Sequence, residues 1–311
     1  MNELYKRFRP KLFKHVVGQD AALQVLYTLL QNGFPHTLLI NGPSGTGKST
    51  IARILKEKLK CSDVDFEEVN CASVSAPIDR MREIKERMEL SPMNGDCRIW
   101  LFEESQALVK SVQSQQSMLG MLEDTPPHVY FILATTDKDK LLPAILTRCT
   151  KIELQPLTRD HLKAAIDRIL TQEQKTITDK VFDKIVECAN GSAREAIVCL
   201  NTVLDLQSEE AQLQSIQPPA TERAASEIVR KLIWERGTWK ELSQLITDLP
   251  EEGNWEGLRQ LILGLAGKEL LKDGKHKHRA YLVLSVFQYD WFSTKRNGLI
   301  RACYEVCVDQ S

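Results

Sequence analysis

The decapeptide from Asn41 to Thr50, NGPSGTGKST, has the residue types and the spacing of a loop that binds phosphate groups. Gly42, Gly47, Lys48 and Ser49 match the pattern G-x-x-x-x-G-K-S/T. Glycines let several backbone N–H groups turn toward phosphate oxygens, and a helix that begins near Lys48 directs its positive dipole end to the same place. Lys48 would then reach the β- and γ-phosphates of a nucleotide, and the Ser49 hydroxyl would ligate Mg²⁺.

The alternative is a glycine-rich turn that merely precedes a helix. The apolar run at 37–40 before the loop and the helical spacing at 51–60 after it favour the phosphate-binding interpretation. The sequence thus predicts that ATP and Mg²⁺ are bound here. The predicted loop residues are Gly42, Pro43, Ser44, Gly45, Thr46, Gly47, Lys48, Ser49 and Thr50.

Two acids, Glu103 and Glu104, end the apolar run CRIWLFEES. In a parallel α/β sheet the carboxyl ends of the strands carry the site. We therefore expect Glu103 to help hold Mg²⁺, together with Ser49, and Glu104 to polarise the attacking water. The alternative is that both acids simply face solvent at the end of a strand.

Short apolar runs alternate with helical patterns over the first half of the chain, which predicts a parallel sheet covered by helices on both faces. Asp20 is expected to cap the first long helix, at 21–31. Another helix is expected at 109–122. The predicted strands are residues 37–40, 66–71, 97–105, 126–137 and 151–157.

From Thr158 onward only helical patterns remain. Three helices are expected at 159–170, 179–190 and 193–206. Pro218 and Pro219 indicate a linker or a break between helices, and the rest of the chain is again helical. The large apolar residues of the last helices indicate either a subunit interface or a single packed core.

The composition is that of an ordinary globular protein. The 311 residues are 42% hydrophobic and 27% charged with a net charge of −1, and residues 1–60 are markedly basic. No apolar run approaches the length of a membrane span, and the charged N-terminus does not have the pattern of a signal peptide, so we expect a cytoplasmic protein without membrane contact. The eight scattered cysteines form no C-x-x-C pair, which favours reduced, mostly buried thiols over structural zinc.

With these motifs in this order, the chain resembles the AAA+ ATPases, and among them the ATPase subunits of sliding-clamp loaders, over essentially its whole length. The segment at 5–20, YKRFRPKLFKHVVGQD, resembles the N-terminal box of that family. The resemblance implies that Arg9, Pro10 and Val17 lie against the adenine. GPSGTGKS at 42–49 corresponds to the family's Walker A motif.

Further motifs carry the same resemblance. IWLFEES occupies the position of Walker B, and LATTD is similar to the first sensor, which implies that Thr136 hydrogen-bonds near the γ-phosphate. GSAREA resembles the second sensor and would place Arg194 over the phosphates. LTRC resembles the S-R-C motif, so Arg148 would be an arginine finger for ATP held by the adjacent subunit. The alternatives are a structural ion pair for Arg148 and a helix-surface arginine for Arg194.

The chain departs from the family pattern at three places. Glu103 stands where the family usually has aspartate, which alters the reach of the carboxylate by roughly a bond length. Thr147 replaces the serine of S-R-C and keeps its hydroxyl. Leu119 and Gly120 stand where the family often has basic residues that sense DNA.

Contact with DNA is assigned to the helix expected at 75–90, with Arg80 and Arg82 as phosphate partners. The alternative is that this is an ion-paired surface helix, with Glu83 between Arg80 and Arg87.

The resemblance implies an α/β AAA+ nucleotide-binding domain at 1–155, a helical lid at 156–212 and an all-α collar at 213–311. It further implies a ring, of five subunits, that contains copies of this chain and a distinct loader subunit. The compact lid and helical tail resemble the small loader subunits of large DNA phages most. ATP binding would open a sliding clamp at a primer–template junction, and hydrolysis would release it. The alternatives are a catalytically weak structural subunit of such a loader and another AAA+ DNA motor, for branch migration or helicase loading.

Overall fold

A computed structural model describes residues 4–73, 77–216, 220–249, 255–272, 274–291 and 294–308. The chain divides into two units, residues 1–216 and 217–311. The further division of the first unit into a nucleotide-binding domain and a lid stays a prediction. The expected break at Pro218 and Pro219 lies outside the described residues.

A five-stranded parallel sheet forms the centre of the first unit, as the alternation of apolar runs predicts. The strands lie in the order β2-β3-β4-β1-β5, and every pairing is parallel. The side chains of β1, β3 and β4 are almost entirely buried, because helices cover both faces of the sheet. The strands are β1 (Thr37–Asn41), β2 (Phe66–Asn70), β3 (Arg98–Glu103), β4 (Val129–Thr135) and β5 (Thr150–Glu153).

Ten α-helices belong to the described part of this unit, and most coincide with the predicted ones. The exceptions are α1 and α10, which the sequence did not predict. The helices are α1 (Leu4–Arg7), α2 (Asp20–Asn32), α3 (Lys48–Lys58), α4 (Pro77–Met88), α5 (Val112–Glu123), α6 (Pro143–Arg148), α7 (Arg159–Glu173), α8 (Asp179–Ala189), α9 (Ala193–Val203) and α10 (Glu209–Ser215).

The prediction that Asp20 caps α2 is wrong. The helix begins at Asp20, and Gln19 occupies the cap position without a side-chain cap bond. The Gln19 amide is instead paired with the backbone after β5, since it donates to the Gln155 carbonyl at 2.8 Å and accepts from the Gln155 N–H at 3.1 Å. The side chain therefore joins the N-terminal segment to the far edge of the sheet.

The second unit contains α11 (Ala220–Val229), α12 (Trp239–Thr247), α13 (Trp255–Leu270), α14 (Lys277–Val286) and α15 (Arg296–Val308), with a π-helical turn at Arg230–Glu235. Its described residues contain no strand, as the sequence predicts. All eight cysteines of the chain are buried, and none forms a disulfide. Among the described helices, none combines the length and the apolar character needed to span a lipid bilayer.

A buried ion pair fixes the start of β3 next to the residues that precede β2. The Asp65 carboxylate accepts from the Ser62 hydroxyl at 2.6 Å, from the backbone N–H groups of Met93, Asn94 and Gly95, and from Arg98 at 3.3 Å. Burial alone would raise the pKa of Asp65, but these donors hold it well below its usual range.

Replacing Asp65 by alanine should lower the free energy of unfolding by about 3–5 kcal/mol, because Arg98 would lose its buried counter-charge and three backbone N–H groups would lose their acceptor. Since the pKa of Asp65 is lowered on folding, its stabilisation is complete above the unfolded value of about 3.9 and is lost as the pH falls below it. Urea unfolding at neutral and acidic pH measures both effects. Asp96→Ala, at an exposed ion pair with Lys60, is the control, and an equal loss in both variants would contradict the assignment.

Candidate nucleotide site

The phosphate loop leaves β1 and enters α3 in the order that the motif predicts. Gly45 and Gly47 have φ values of 74° and 112°, which favour glycine. A Cβ on Gly45 would lie 1.9 Å from the Ser192 hydroxyl, and the Gly45 carbonyl accepts from the Ala193 N–H at 3.1 Å. The loop is therefore packed closely against the start of α9, and there is no room for a side chain at Gly45.

Lys48 lies buried at the first position of α3, only 8% exposed. Its Nζ donates to the Gly42 and Pro43 carbonyls at 2.7 Å and 2.9 Å. The pKa of Lys48 is lowered to about 8, chiefly by burial; Glu104 opposes this shift, the nearby charge of Arg194 adds to it, and Glu103 opposes it. A buried cation with a lowered pKa is suited to an anionic ligand, because the ligand's charge would favour the protonated form.

The lowered pKa of Lys48 predicts that nucleotide affinity depends on pH. Below about pH 8 the ammonium group is already charged, and affinity should be constant; above it, binding must take up a proton, so affinity should fall by up to about tenfold per pH unit. Equilibrium titration with a fluorescent ATP analogue from about pH 7 to about pH 9.5 measures this. Affinity that stays flat, or an identical pH dependence in Lys48→Met, would contradict the assignment.

Glu103 is the last residue of β3, and Glu104 follows it in a left-handed conformation with φ 51° and ψ 43°. The strand order places these acids between the ends of β2 and β4. The Glu104 carboxylate accepts from the Gln106 side-chain amide at 2.6 Å, and the same amide donates to the Thr136 hydroxyl at 3.0 Å. The two acids and the predicted sensor threonine therefore lie together at the carboxyl edge of the sheet.

One cleft brings most of the predicted site residues together. Arg9, Pro10, Val17 and Arg194 line it, together with the loop at 44–50 and Glu104. The sequence did not predict six further lining residues. Val16 is one of them, and it is next to the predicted Val17, as Phe8 is next to Arg9 and Ala193 next to Arg194; these adjacent positions were the available signal. The six are Tyr5, Phe8, Val16, Leu157, Ala193 and Ile197.

Arg148 is the last residue of α6 and does not line this cleft. Its guanidinium donates to the Ala144 carbonyl at 2.9 Å and forms an ion pair with Glu123 of α5, and the side chain is 36% exposed. The chain alone thus places Arg148 in an exposed ion pair. Its role toward a neighbouring subunit stays a prediction.

The two arginines assigned to DNA are also ion-paired. Arg80 is paired with Glu67 and Glu83, and Arg82 with Asp79 at 3.3 Å. Arg82 is the more exposed, since its side chain is 68% accessible against 29% for Arg80. The ion-paired surface helix is therefore present, and DNA contact stays a prediction.

The parallel sheet, its strand order, the phosphate loop after β1 and the helical region that follows define the AAA+ type of P-loop nucleotide-binding fold. Solved structures of RuvB from Thermotoga maritima agree with this fold. The RuvB branch-migration motor superimposes with a TM-score of 0.60 at 18% identity, over 77% of this chain and 85% of that one. At this identity the likeness concerns the fold alone.

Sequence relatives are subunits of DNA polymerase III. The family described as "DNA polymerase III, delta subunit" matches residues 64–158, and the "Sigma-54 interaction domain" matches residues 16–80. DNA polymerase III subunit gamma of Buchnera aphidicola is 32% identical over 65% of this chain and 60% of its own length. Subunit tau of Escherichia coli is 30% identical over 62% of this chain and 33% of its own.

These matches confirm the resemblance to clamp-loader AAA+ subunits that the motifs indicate. The matched region spans less than two thirds of each of these relatives, from 60% of the Buchnera subunit to 33% of the E. coli subunit. The likeness to phage subunits in particular stays a prediction.

Proposed function

We propose that the protein is an ATPase subunit of a sliding-clamp loader. The observation that carries this proposal is the convergence of the phosphate loop, Glu104 and Arg194 on one cleft, in a chain similar to DNA polymerase III subunits. ATP binding would open a sliding clamp at a primer–template junction, and hydrolysis would release the clamp.

ATP and Mg²⁺ fit the residues that are present. The buried Lys48 ammonium group donates to two backbone carbonyls, which are neutral acceptors. A Cβ on Gly47 would meet no atom within 4 Å, so the space beside this glycine of the loop is open. The Ser49 hydroxyl and the Glu103 carboxylate would hold Mg²⁺, which supplies charge to stabilise the phosphates.

Each protein group then has a defined task. Glu104 orients and polarises the attacking water, and Thr136 hydrogen-bonds near the γ-phosphate. Lys48 and Arg194 stabilise the phosphate charge. The apolar part of the cleft, next to Arg9, Pro10 and Val17, would hold the adenine, with Tyr5 and Phe8 adding aromatic surface.

The assembly completes the site in this proposal. Copies of this chain and a distinct loader subunit form a ring of five, in which Arg148 leaves Glu123 and reaches the ATP of the neighbouring subunit. The ring binds the sliding clamp and primer–template DNA, with Arg82 and Arg80 as phosphate contacts. It acts in the cytoplasm, which is the host cytoplasm if a phage encodes the protein.

The test is co-purification of this chain with the products of neighbouring genes, followed by measurement of ATP-dependent association with a ring-shaped clamp. Turnover of ATP should be low for the chain alone and should rise when clamp and primer–template DNA are both added. Association and clamp release without any turnover would favour the structural-subunit alternative. Directional unwinding or branch migration that does not depend on a clamp would favour another AAA+ motor.

A further inference from the structure

Gln106 is a polar residue next to the site for which no motif predicts a role. It lies in the 3-10 turn Ser105–Lys110, two residues after Glu104. The turn is fixed to β4, since the buried Ser105 hydroxyl donates to the Ala134 carbonyl at 3.2 Å. The backbone therefore places Gln106 directly between the carboxyl ends of β3 and β4.

The side-chain amide of Gln106 makes three hydrogen bonds with three different groups. Its Nε2 donates to Glu104 Oε2 at 2.6 Å and to Thr136 Oγ1 at 3.0 Å, and its Oε1 accepts from Thr135 Oγ1 at 2.7 Å. Thr135 is fully buried and its Oγ1 also accepts from the Asp137 N–H at 3.1 Å, so it is a rigid anchor. The amide thus links the acid that would polarise water to the hydroxyl that would sense the γ-phosphate.

The chemistry of this position requires an amide. The group must accept from Thr135 and donate to both a carboxylate and a hydroxyl, which a primary amide can do in one orientation. A carboxylate here would accept only and would face Glu104 within hydrogen-bonding distance. An aliphatic side chain would leave Thr135 without its acceptor and Glu104 without its amide donor.

We propose that Gln106 is a positioning residue that couples Glu104 to Thr136, so that the water-polarising carboxylate is aligned when the threonine contacts the terminal phosphate. When the Thr136 hydroxyl moves, the Gln106 amide moves with it and displaces the Glu104 carboxylate. The hydrogen bond from Thr135 holds the oxygen of the same amide in place. This inference rests on the proposed ATPase function and adds to it a link between phosphate sensing and the catalytic acid.

The test compares steady-state ATP turnover of the loader complex carrying wild-type chain, Gln106→Ala, Thr136→Val, Gln106→Glu and the double variant Gln106→Ala with Thr136→Val. Gln106→Ala should lower kcat by about tenfold or more with little change in KM. The double variant should lose no more than the worse single variant, because both changes break one link. Gln106→Glu should not restore turnover, because a carboxylate cannot donate to Glu104 and Thr136 as the amide does.

Gln207→Ala, at an exposed glutamine between α9 and α10, is the matched control and should keep wild-type kinetics. Equilibrium binding of an ATP analogue to Gln106→Ala should stay near the wild-type value, which shows that the site is folded. Unchanged kcat in Gln106→Ala, or losses that multiply in the double variant, would overturn the coupling while leaving the proposed function intact. A wild-type complex without turnover would remove the proposed ATPase function and this inference together.

Discussion

Replacing Glu104 by glutamine should lower ATP turnover of the loader complex by about 10²- to 10⁴-fold while ATP binding is retained. Glutamine keeps the size of the side chain and one oxygen, but it cannot polarise water as a carboxylate does. The left-handed backbone at Glu104 and the hydrogen bond that its carboxylate accepts from Gln106 hold the acid at the carboxyl edge of the sheet. There its negative charge acts on Lys48 and raises the pKa of that ammonium group. Single-turnover kinetics with equilibrium binding of ATP measure both quantities.

The control for this variant is Glu210→Gln, an exposed glutamate of α10, which should have wild-type turnover. Retained binding also predicts that Glu104→Gln holds the clamp in an ATP-dependent complex that is released slowly. Equal turnover in wild type and Glu104→Gln would show that Glu104 is not the catalytic acid and would favour the structural-subunit alternative.

Replacing Arg148 by alanine should reduce turnover in the assembled complex by a factor on the order of a thousand, as expected for a group that stabilises charge on the transferred phosphoryl group. ATP binding by the isolated chain should be nearly unaffected, because Arg148 is not among the residues that line its own cleft. The separation of these two effects distinguishes a residue that serves a neighbour from one that serves its own site.

The ion pair between Arg148 and Glu123 offers a matched control. Glu123→Ala breaks the same contact but leaves the guanidinium in place. Because exposed ion pairs contribute only about 0–1 kcal/mol, this variant should keep most of its stability and turnover. If both variants lost turnover equally, the ion pair itself, and not a contact in trans, would explain the effect of Arg148.

The parts of the site that lie close together in the sequence could be predicted from it. The phosphate loop, the strand before it and the helix after it follow from local residue types, as does the position of Glu103 and Glu104 at the end of a strand. The parallel sheet followed from the alternation of strands and helices. These features depend on local propensity and on the general geometry of parallel sheets.

Contacts between distant segments could not be predicted in this way. The bridge from Gln106 to Thr136 depends on β3 and β4 being neighbours, and the fit of Gly45 against Ser192 depends on how α9 packs. The incorrect cap at Asp20 has a similar origin, because Gln19 is held by the backbone at Gln155 and not by its own helix. The short helix α10 was missed because its sequence is polar and has few apolar positions.

The central claim is that each subunit contributes Arg148 to the ATP bound by its neighbour, and a mixing experiment tests it most directly. Complexes are assembled from Glu104→Gln chains, from Arg148→Ala chains, and from both in equal amounts, and ATP turnover is measured in each. Each variant alone should be inactive. In the mixture, an Arg148→Ala subunit beside a Glu104→Gln subunit has an intact site, so turnover should recover to roughly a quarter of wild type if sites act independently. Turnover in the mixture no higher than in the single-variant complexes would contradict the claim, since no single chain in it carries both residues.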